Sequence, residues 1–331
     1  MAKITGTTGN DNLTNGTTGN DQFYTGDGND YVQGTAGNDS YNLGFASSTS
    51  YWRYGFSDFD TLDYRYTWSS YGLANETSLR IIVDLELGTI KKLNASSGAT
   101  LGTDTVSGAD GVYGTQGNDS FKGRDFWASE SFRGFGGNDT IDGRGNEDLS
   151  EYYNANTSGI TVNMATGTVS SSDVLSGNDT LREIEGIGGT NFADTYTATG
   201  YSGSSTNRNS FGQDWNVFVP QSGDDIITGN GQTILSYGGV GGNMTVALAG
   251  QTAVGVKSHI ITSFVDDASN ASYNPGNINA SGVNFIIGGN YDDTLSGGGK
   301  VNSIGFSAPY TVSGDVGFEM FRGQGGDDFI D

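Results

Sequence analysis

Single apolar residues punctuate this chain at a fixed distance from two small or charged ones. A Gly is followed two residues later by Asp, and two after that by an apolar side chain, at Gly9-Asp11-Leu13, Gly19-Asp21-Phe23, Gly28-Asp30-Val32 and Gly37-Asp39-Tyr41. The pattern returns at Gly102-Asp104-Val106, Gly117-Asp119-Phe121, Gly137-Asp139-Ile141, Gly177-Asp179-Leu181, Gly223-Asp225-Ile227 and Gly326-Asp328-Ile330. One apolar residue at a time between Gly-rich turns predicts very short strands, each with one inward side chain, stacked into a solenoid. Apolar and polar residues alternate at 160–164 and 244–248, which predicts longer, half-buried strands, and 61–64, 148–152 and 233–237 read as a comparable set of strands preceding them. No segment carries a helical period, so the expected class is all-β.

The repeat is nested in a longer one. Residues 102–119 align without gaps on 177–194, every step being an offset of 75, and Val83–Thr89 matches Val162–Thr168 upstream. A looser third copy runs through Val246-Ala247-Leu248 to Asp293. This predicts one continuous solenoid over 1–331, made of three longer units: 1–122 with tandem nonapeptides at 6–44, then 123–212, then 213–331.

Composition narrows the chemistry. Of 331 residues 55 are Gly, none is Cys and one is His, and 38 acidic against 15 basic residues give a net charge of −23. Such a balance excludes nucleic acid, whose binding needs Lys and Arg on phosphates, and disfavours anionic membrane surfaces. No apolar run is long enough to insert in a bilayer, and the N-terminus lacks the apolar core of a secretory signal. Without Cys, thiol-ligated metal and disulfides are excluded.

Cations are the natural partners. In Gly9-Asn10-Asp11-Asn12-Leu13 the glycines permit positive φ, backbone carbonyls can turn toward one point, and Asp supplies the charge. Calcium takes six to eight hard oxygens, carbonyls included. Two nonapeptides make one coil, so Asp11 should stack on Asp30 at one edge and Asp21 on Asp39 at the other. At a strand spacing of about 4.8 Å those carboxylates repel unless a cation lies between them.

These residues resemble the RTX, or haemolysin-type, calcium-binding repeat, whose unit is Gly-Gly-x-Gly-x-Asp-x-apolar-x. Gly134-Phe135-Gly136-Gly137-Asn138-Asp139-Thr140-Ile141 and Gly323-Gln324-Gly325-Gly326-Asp327-Asp328-Phe329-Ile330 carry the resemblance. It implies a right-handed parallel β-roll or β-helix with several Ca2+ ions between stacked turns, and an extracellular location. The ligand positions on this reading are Gly9, Asp11, Gly19, Asp21, Gly28, Asp30, Gly37, Asp39, Asp104, Gly117, Asp119, Gly137, Asp139, Asp148, Asp179, Asp194, Gly223, Asp225, Asp293, Gly326 and Asp328. The pattern departs from the family at Asp148, Asp194 and Asp293, where Asn146, Phe192 and Tyr291 stand in place of the Gly. Asp110 also fits the triplet, yet falls only six residues after Asp104, which predicts that the two do not occupy consecutive turns.

Catalytic chemistry finds no foothold. His259 has no partners in its neighbourhood and reads as a strand residue, and neither a His-Glu-x-x-His helix nor a Gly-x-Ser-x-Gly elbow occurs. Glu183/Glu185 and Asp266/Asp267 are pairs that arise freely in so acidic a chain. The aromatic cluster Tyr51, Trp52, Tyr54, Phe56, Phe59, Tyr64, Tyr66 and Trp68 reads as a cover on the solenoid, with Tyr64, Tyr66 and Trp68 sharing one strand face; a glycan platform is the competing reading.

The expectation is a non-enzymatic calcium-binding structural protein of the bacterial cell surface or extracellular matrix, as surface layer, adhesin or filament. It would be exported without a cleaved N-terminal signal and self-associate with neighbouring copies. The repeat stops within a motif at Asp331, so the alternative is a non-catalytic repeat region of a larger secreted enzyme or toxin.

Overall fold

The computed structural model describes residues 1–44, 59–125, 129–209, 212–237, 243–247, 258–265, 278–288, 294–296, 320–322 and 329–330. They fall into two compact units, Met1–Asn156 with Gly167–Glu185, and Thr157–Thr166 with Gly186–Asp331. Both are built almost wholly of β-strands, most of them paired in parallel.

In the first unit the repeat strands are two or three residues long. Lys3–Thr5 pairs with Gln22–Tyr24, which pairs with Ser40–Asn42; Asn12–Leu13 pairs with Tyr31–Gln33, which pairs with Thr61–Asp63. Alternate strands thus form two stacks, as expected of a coil made from two nonapeptides. The middle residue of each points inward: Phe23, Val32, Tyr41, Leu62, Val112, Phe121, Phe132, Ile141 and Leu181 are all buried. Phe23 and Tyr41 stack with ring centroids 4.9 Å apart. One apolar side chain per strand is enough because each lies on its neighbours above and below.

The longer strands depart from the parallel plan. Leu79–Asp84, Thr89–Asn94 and Thr100–Ser107 form an antiparallel meander. Its last strand pairs in parallel with Ser40–Asn42 and its first with Ser120–Lys122, so the meander is spliced into one stack. A short helical turn, Thr67–Ser70, follows Thr61–Asp63. Tyr64 is therefore buried, Tyr66 exposed and Trp68 half-buried, and they do not share a strand face. The strand ends at Asp63 because its carboxylate accepts from the Arg65 backbone N–H and side chain, turning the chain.

In the second unit Gly186–Gly188 pairs with Asn216–Val219, and Thr195–Thr197 lies between Ile160–Asn163 and Ile226–Ser236. Tyr196 and Phe218 stack at its centre, 4.8 Å between centroids. His259 lies on the strand Ser258–Val265, opposite Ala280 of Ile278–Ile287.

Candidate metal centre

The parallel register sets the Asp before each strand directly above the Asp of the next tier. Asp11 donates its backbone N–H to Asp30 Oδ1 at 2.8 Å, Asp30 to Asp60 Oδ1 at 2.9 Å, and Asp60 to Asp110 Oδ2 at 3.2 Å. Further along the same stack Glu130 donates to Asp148 Oδ1 at 2.7 Å and Asp148 to Glu185 Oε2 at 3.0 Å. On the other stack Asp21 donates to Asp39 and Asp39 to Asp104, each at 2.8 Å. Beyond the meander Ile81 donates to Asp119 at 2.7 Å, Asp119 to Asp139 at 2.7 Å and Asp139 to Asp179 at 2.8 Å. In the second unit Asp194 donates to Asp225 at 2.9 Å. Each of these bonds engages one carboxylate oxygen, so the environment of the other oxygen distinguishes the tiers.

The turns can be numbered one to six, ending on the Asp. With Thr at position two, the Thr closes the carboxylate. Thr7 donates its N–H and its hydroxyl to Asp11 Oδ2 at 2.5 and 3.0 Å, and Thr17 does the same to Asp21 Oδ2 at 2.6 and 2.8 Å. Thr115 and Thr190 likewise donate N–H and hydroxyl to Asp119 and Asp194. Position two is instead Gly26, Phe135, Arg144 or Gln221 in the turns that end on Asp30, Asp139, Asp148 and Asp225. There Oδ2 is buried and has no hydrogen-bond partner.

Backbone conformation also varies among the turns. Gly26, Phe135 and Arg144 have φ of +108°, +67° and +67°, which rotates the position-two N–H away from the carboxylate. Position four is left-handed at Gly28, Gly137, Asn146 and Gly223, and also at Gly37 and Gly177 of closed turns, but not at Gly9, Gly19 or Gly117. Positive φ at position four thus occurs in all four turns with an unpartnered Oδ2 and in some closed turns as well, and not at every Gly in the motif. Asn146 serves in the position expected to hold Gly because Asn tolerates this region.

In the turns ending on Asp139 and Asp148 the first residue must be Gly for a different reason. A Cβ on Gly134 would stand 1.9 Å from Asp139 Oδ2. On Gly143 it would stand 2.3 Å from the Glu183 carbonyl and 2.5 Å from Asp148 Oδ2. The space is a cradle with a carboxylate oxygen and a carbonyl already facing it. Among the described residues no three acidic or imidazole side chains gather as a metal cluster, so the donors on offer are carboxylates and turn carbonyls. That is an oxygen set suited to Ca2+ and not to a thiolate- or imidazole-loving metal. Gly143→Ala is expected to cost about 1–3 kcal/mol, while Gly9→Ala, whose Cβ would meet nothing within 4 Å, should stay within about 0.5 kcal/mol. Chemical denaturation of both variants checks this; equal effects would mean that the cradle is not tight.

Among the described residues, two tiers contain a cation of the protein's own. Lys92, on the middle strand of the meander, is fully buried and its Nζ lies 2.6 Å from Asp104 Oδ1, 3.4 Å from Asp39 Oδ2 and 2.8 Å from the Thr35 carbonyl. Tyr64 completes the tier by donating its hydroxyl to Asp104 Oδ2 at 2.7 Å, and its ring fills the space beside Gly34. In the other stack Arg124 reaches Glu130 Oε1 at 2.5 Å, Asp110 Oδ1 at 3.4 Å and the Ala109 carbonyl at 2.7 Å.

Burial governs the protonation of the rest. It pushes Asp225 up to about 8 and Asp119 and Asp179 up to about 7. Asp139 and Asp148 are driven well above the carboxylate range by burial and then by the acidic neighbours in their columns. Asp104 reaches only about 6, since Lys92 offsets part of its burial. Asp21 moves the other way: burial would raise it, but hydrogen bonds from Ala2 and Thr17 hold it below its ordinary value.

Most sequence-predicted positions are thereby brought into columns, while Asp293, Gly326, Asp328 and the aromatics Tyr51, Trp52, Tyr54 and Phe56 lie outside the described residues. One expectation is corrected: Asp104 and Asp110 do occupy consecutive turns, one in each column, because the chain turns sharply at Gly108 (φ +82°) between Thr100–Ser107 and Gly111–Tyr113. Sequence reasoning also passed over Asp60, Glu130 and Glu185, which lack the Gly, and Lys92 and Arg124, which lie outside the motif. It missed the Asn of Gly-Asn-Asp as well. Asn10 Oδ1 accepts from Asn29 N–H at 2.9 Å, Asn20 from Asn38 at 3.0 Å and Asn118 from Asn138 at 2.9 Å, forming an outer ladder beside the carboxylates. The signal was available, since Gly-Asn-Asp occurs seven times.

The family model of the RTX calcium-binding nonapeptide repeat matches in four copies, at residues 5–41, 131–149 and 279–299. The chain carries RTX calcium-binding repeats. Comparison with the curated proteins gives no match. The RTX segment 131–149 contains the adjoining turns that end on Asp139 and Asp148, both with an unpartnered buried oxygen. RTX repeats are structural calcium-binding elements typical of secreted proteins. Among the described residues no helix is long and apolar enough to cross a membrane.

Proposed function

We propose that this chain is a non-catalytic calcium-binding structural protein of the bacterial cell surface or extracellular matrix, whose repeats hold Ca2+ between stacked turns and gain rigidity from it. The observation that carries this reading is the set of buried, unpartnered carboxylate oxygens on Asp30, Asp139, Asp148 and Asp225, stacked in columns beside turn carbonyls. Leaving a buried charged acceptor unsatisfied costs upwards of about 1–3 kcal/mol each. A divalent ion coordinated by these oxygens removes that cost and neutralises part of the net charge of −23.

The reading is tested by circular dichroism and thermal unfolding with millimolar Ca2+ and with chelator. β structure and melting temperature should both rise with Ca2+ and not with Mg2+, which demands tighter octahedral geometry. Superimposable curves in Ca2+ and chelator would sink it. Self-association of neighbouring copies is the further part of this reading, and particle size should then grow on adding Ca2+.

A further inference from the structure

We propose that the residue at turn position two decides which tiers take calcium: Thr closes a tier, whereas Gly26, Phe135, Arg144 and Gln221 leave theirs open to the ion. This rests on the reading that the repeats bind Ca2+ and goes on to assign the ions to four of the stacked carboxylates.

The argument is one of lone pairs. An ionised carboxylate offers about four acceptor sites, two on each oxygen. In the Asp11 and Asp21 turns Oδ1 accepts from, or faces, the column, and Oδ2 accepts both the N–H and the hydroxyl of the Thr. Both sites on that oxygen are then used by donors, whose partial positive charge also opposes an approaching cation. In the turns ending on Asp30, Asp139, Asp148 and Asp225 neither site on Oδ2 has a donor, with each Asp 2% exposed or less.

Backbone strain supports the same division. Four non-Gly residues among those described have positive φ, and Phe135, Arg144 and Asn146 are three of them, all in the adjoining turns 134–139 and 143–148. A bulky Phe in the left-handed region is costly unless the surroundings impose it. Its effect here is to withdraw the one backbone donor that would otherwise satisfy Asp139. Two of the four open turns, those of Asp139 and Asp148, are strained in this way, as expected where strain is kept for ligand binding.

Other tiers are closed by other means, which agrees with the rule's logic. Asp39 has Thr35 and Lys92, Asp104 has Lys92 and Tyr64, and Asp179 accepts from the Tyr152 hydroxyl at 2.9 Å.

The test counts ions. Ca2+ is titrated calorimetrically into chelator-stripped full-length protein, with melting in chelator as a second readout. Phe135→Thr should bind one ion fewer than the parent and melt higher in chelator, because the new hydroxyl and N–H satisfy Asp139. Phe135→Gly, which keeps the left-handed turn, should bind the parental number. Thr190→Gly, which removes the hydroxyl at Asp194, should bind one more. A parent that binds no Ca2+ overturns the functional reading itself. A parent that binds, with Phe135→Thr unchanged in ion count, overturns the position-two rule alone. Should Phe135→Thr fail to fold, an unchanged count in Thr190→Gly overturns the rule equally.

Discussion

Lys92→Met is expected to destabilise the chelator-stripped protein by about 3–5 kcal/mol, the usual cost of removing one partner from a buried ion pair. Met preserves most of the volume of the side chain, so the loss isolates the charge. Without the ammonium, Asp104 keeps only the Asp39 N–H and the Tyr64 hydroxyl, and Asp39 lies next to it in the same column with no cation between them. The Thr35 carbonyl loses its donor as well. Urea unfolding with and without Ca2+ measures the effect. Because the substitution leaves two carboxylates and a carbonyl facing one small space, millimolar Ca2+ should recover part of the loss. A change below about 1 kcal/mol in chelator would show that the pair is screened like a surface bridge.

Acid should stabilise the calcium-free protein. The folded state holds Asp119 and Asp179 near 7 and Asp225 near 8, against an ordinary Asp value of 3.8, and burial is the leading cause in each. A carboxylate whose folded value is raised binds more protons folded than unfolded between those two values. Stability therefore falls as pH rises from about 4 through 8. Each group contributes roughly 1.4 kcal/mol per pH unit for as long as it is protonated folded and ionised unfolded. Asp21, held low, acts in the opposite sense only below its ordinary value. In chelator the melting temperature at pH 5 should exceed that at pH 8 by at least roughly 5 °C. Calcium requires the ionised carboxylates, so its own contribution should be greatest at pH 8, and the two melting curves should converge on acidification. A melting temperature in chelator that rises from pH 5 to pH 8 would contradict the burial of these groups as ionisable acids.

The two stacks were legible because their signal is local and periodic. Phe23, Val32, Phe121 and Ile141 are inward for the reason that predicted them: each stands two residues past an Asp that caps a turn. Asp11 with Asp30 and Asp21 with Asp39 followed from the length of one coil, the partners being 19 and 18 residues apart. Asp60 and Asp110 were harder. They join the Asp30 column across separations of 30 and 50 residues, and nothing in their immediate neighbours announces those partners. The strand face imagined for Tyr64, Tyr66 and Trp68 failed because Asp63 recruits Arg65 and stops the strand.

The sequence by itself determined the class of fold, the choice of hard oxygen ligands and the identity of the repeat, since each depends on residues within one nonapeptide. Tertiary structure alone decided which carboxylates are satisfied. That property depends on whether a Thr hydroxyl, a Tyr from another strand, or the ammonium of Lys92 from an inserted meander reaches a given Oδ2. Two turns with the same Gly-Asn-Asp, those of Asp119 and Asp139, lie one above the other, yet one is closed by Thr115 and the other left open by Phe135. Hydrogen-bond saturation is a matter of distances of about 3 Å, and only the stacked coils bring those donors, or withhold them.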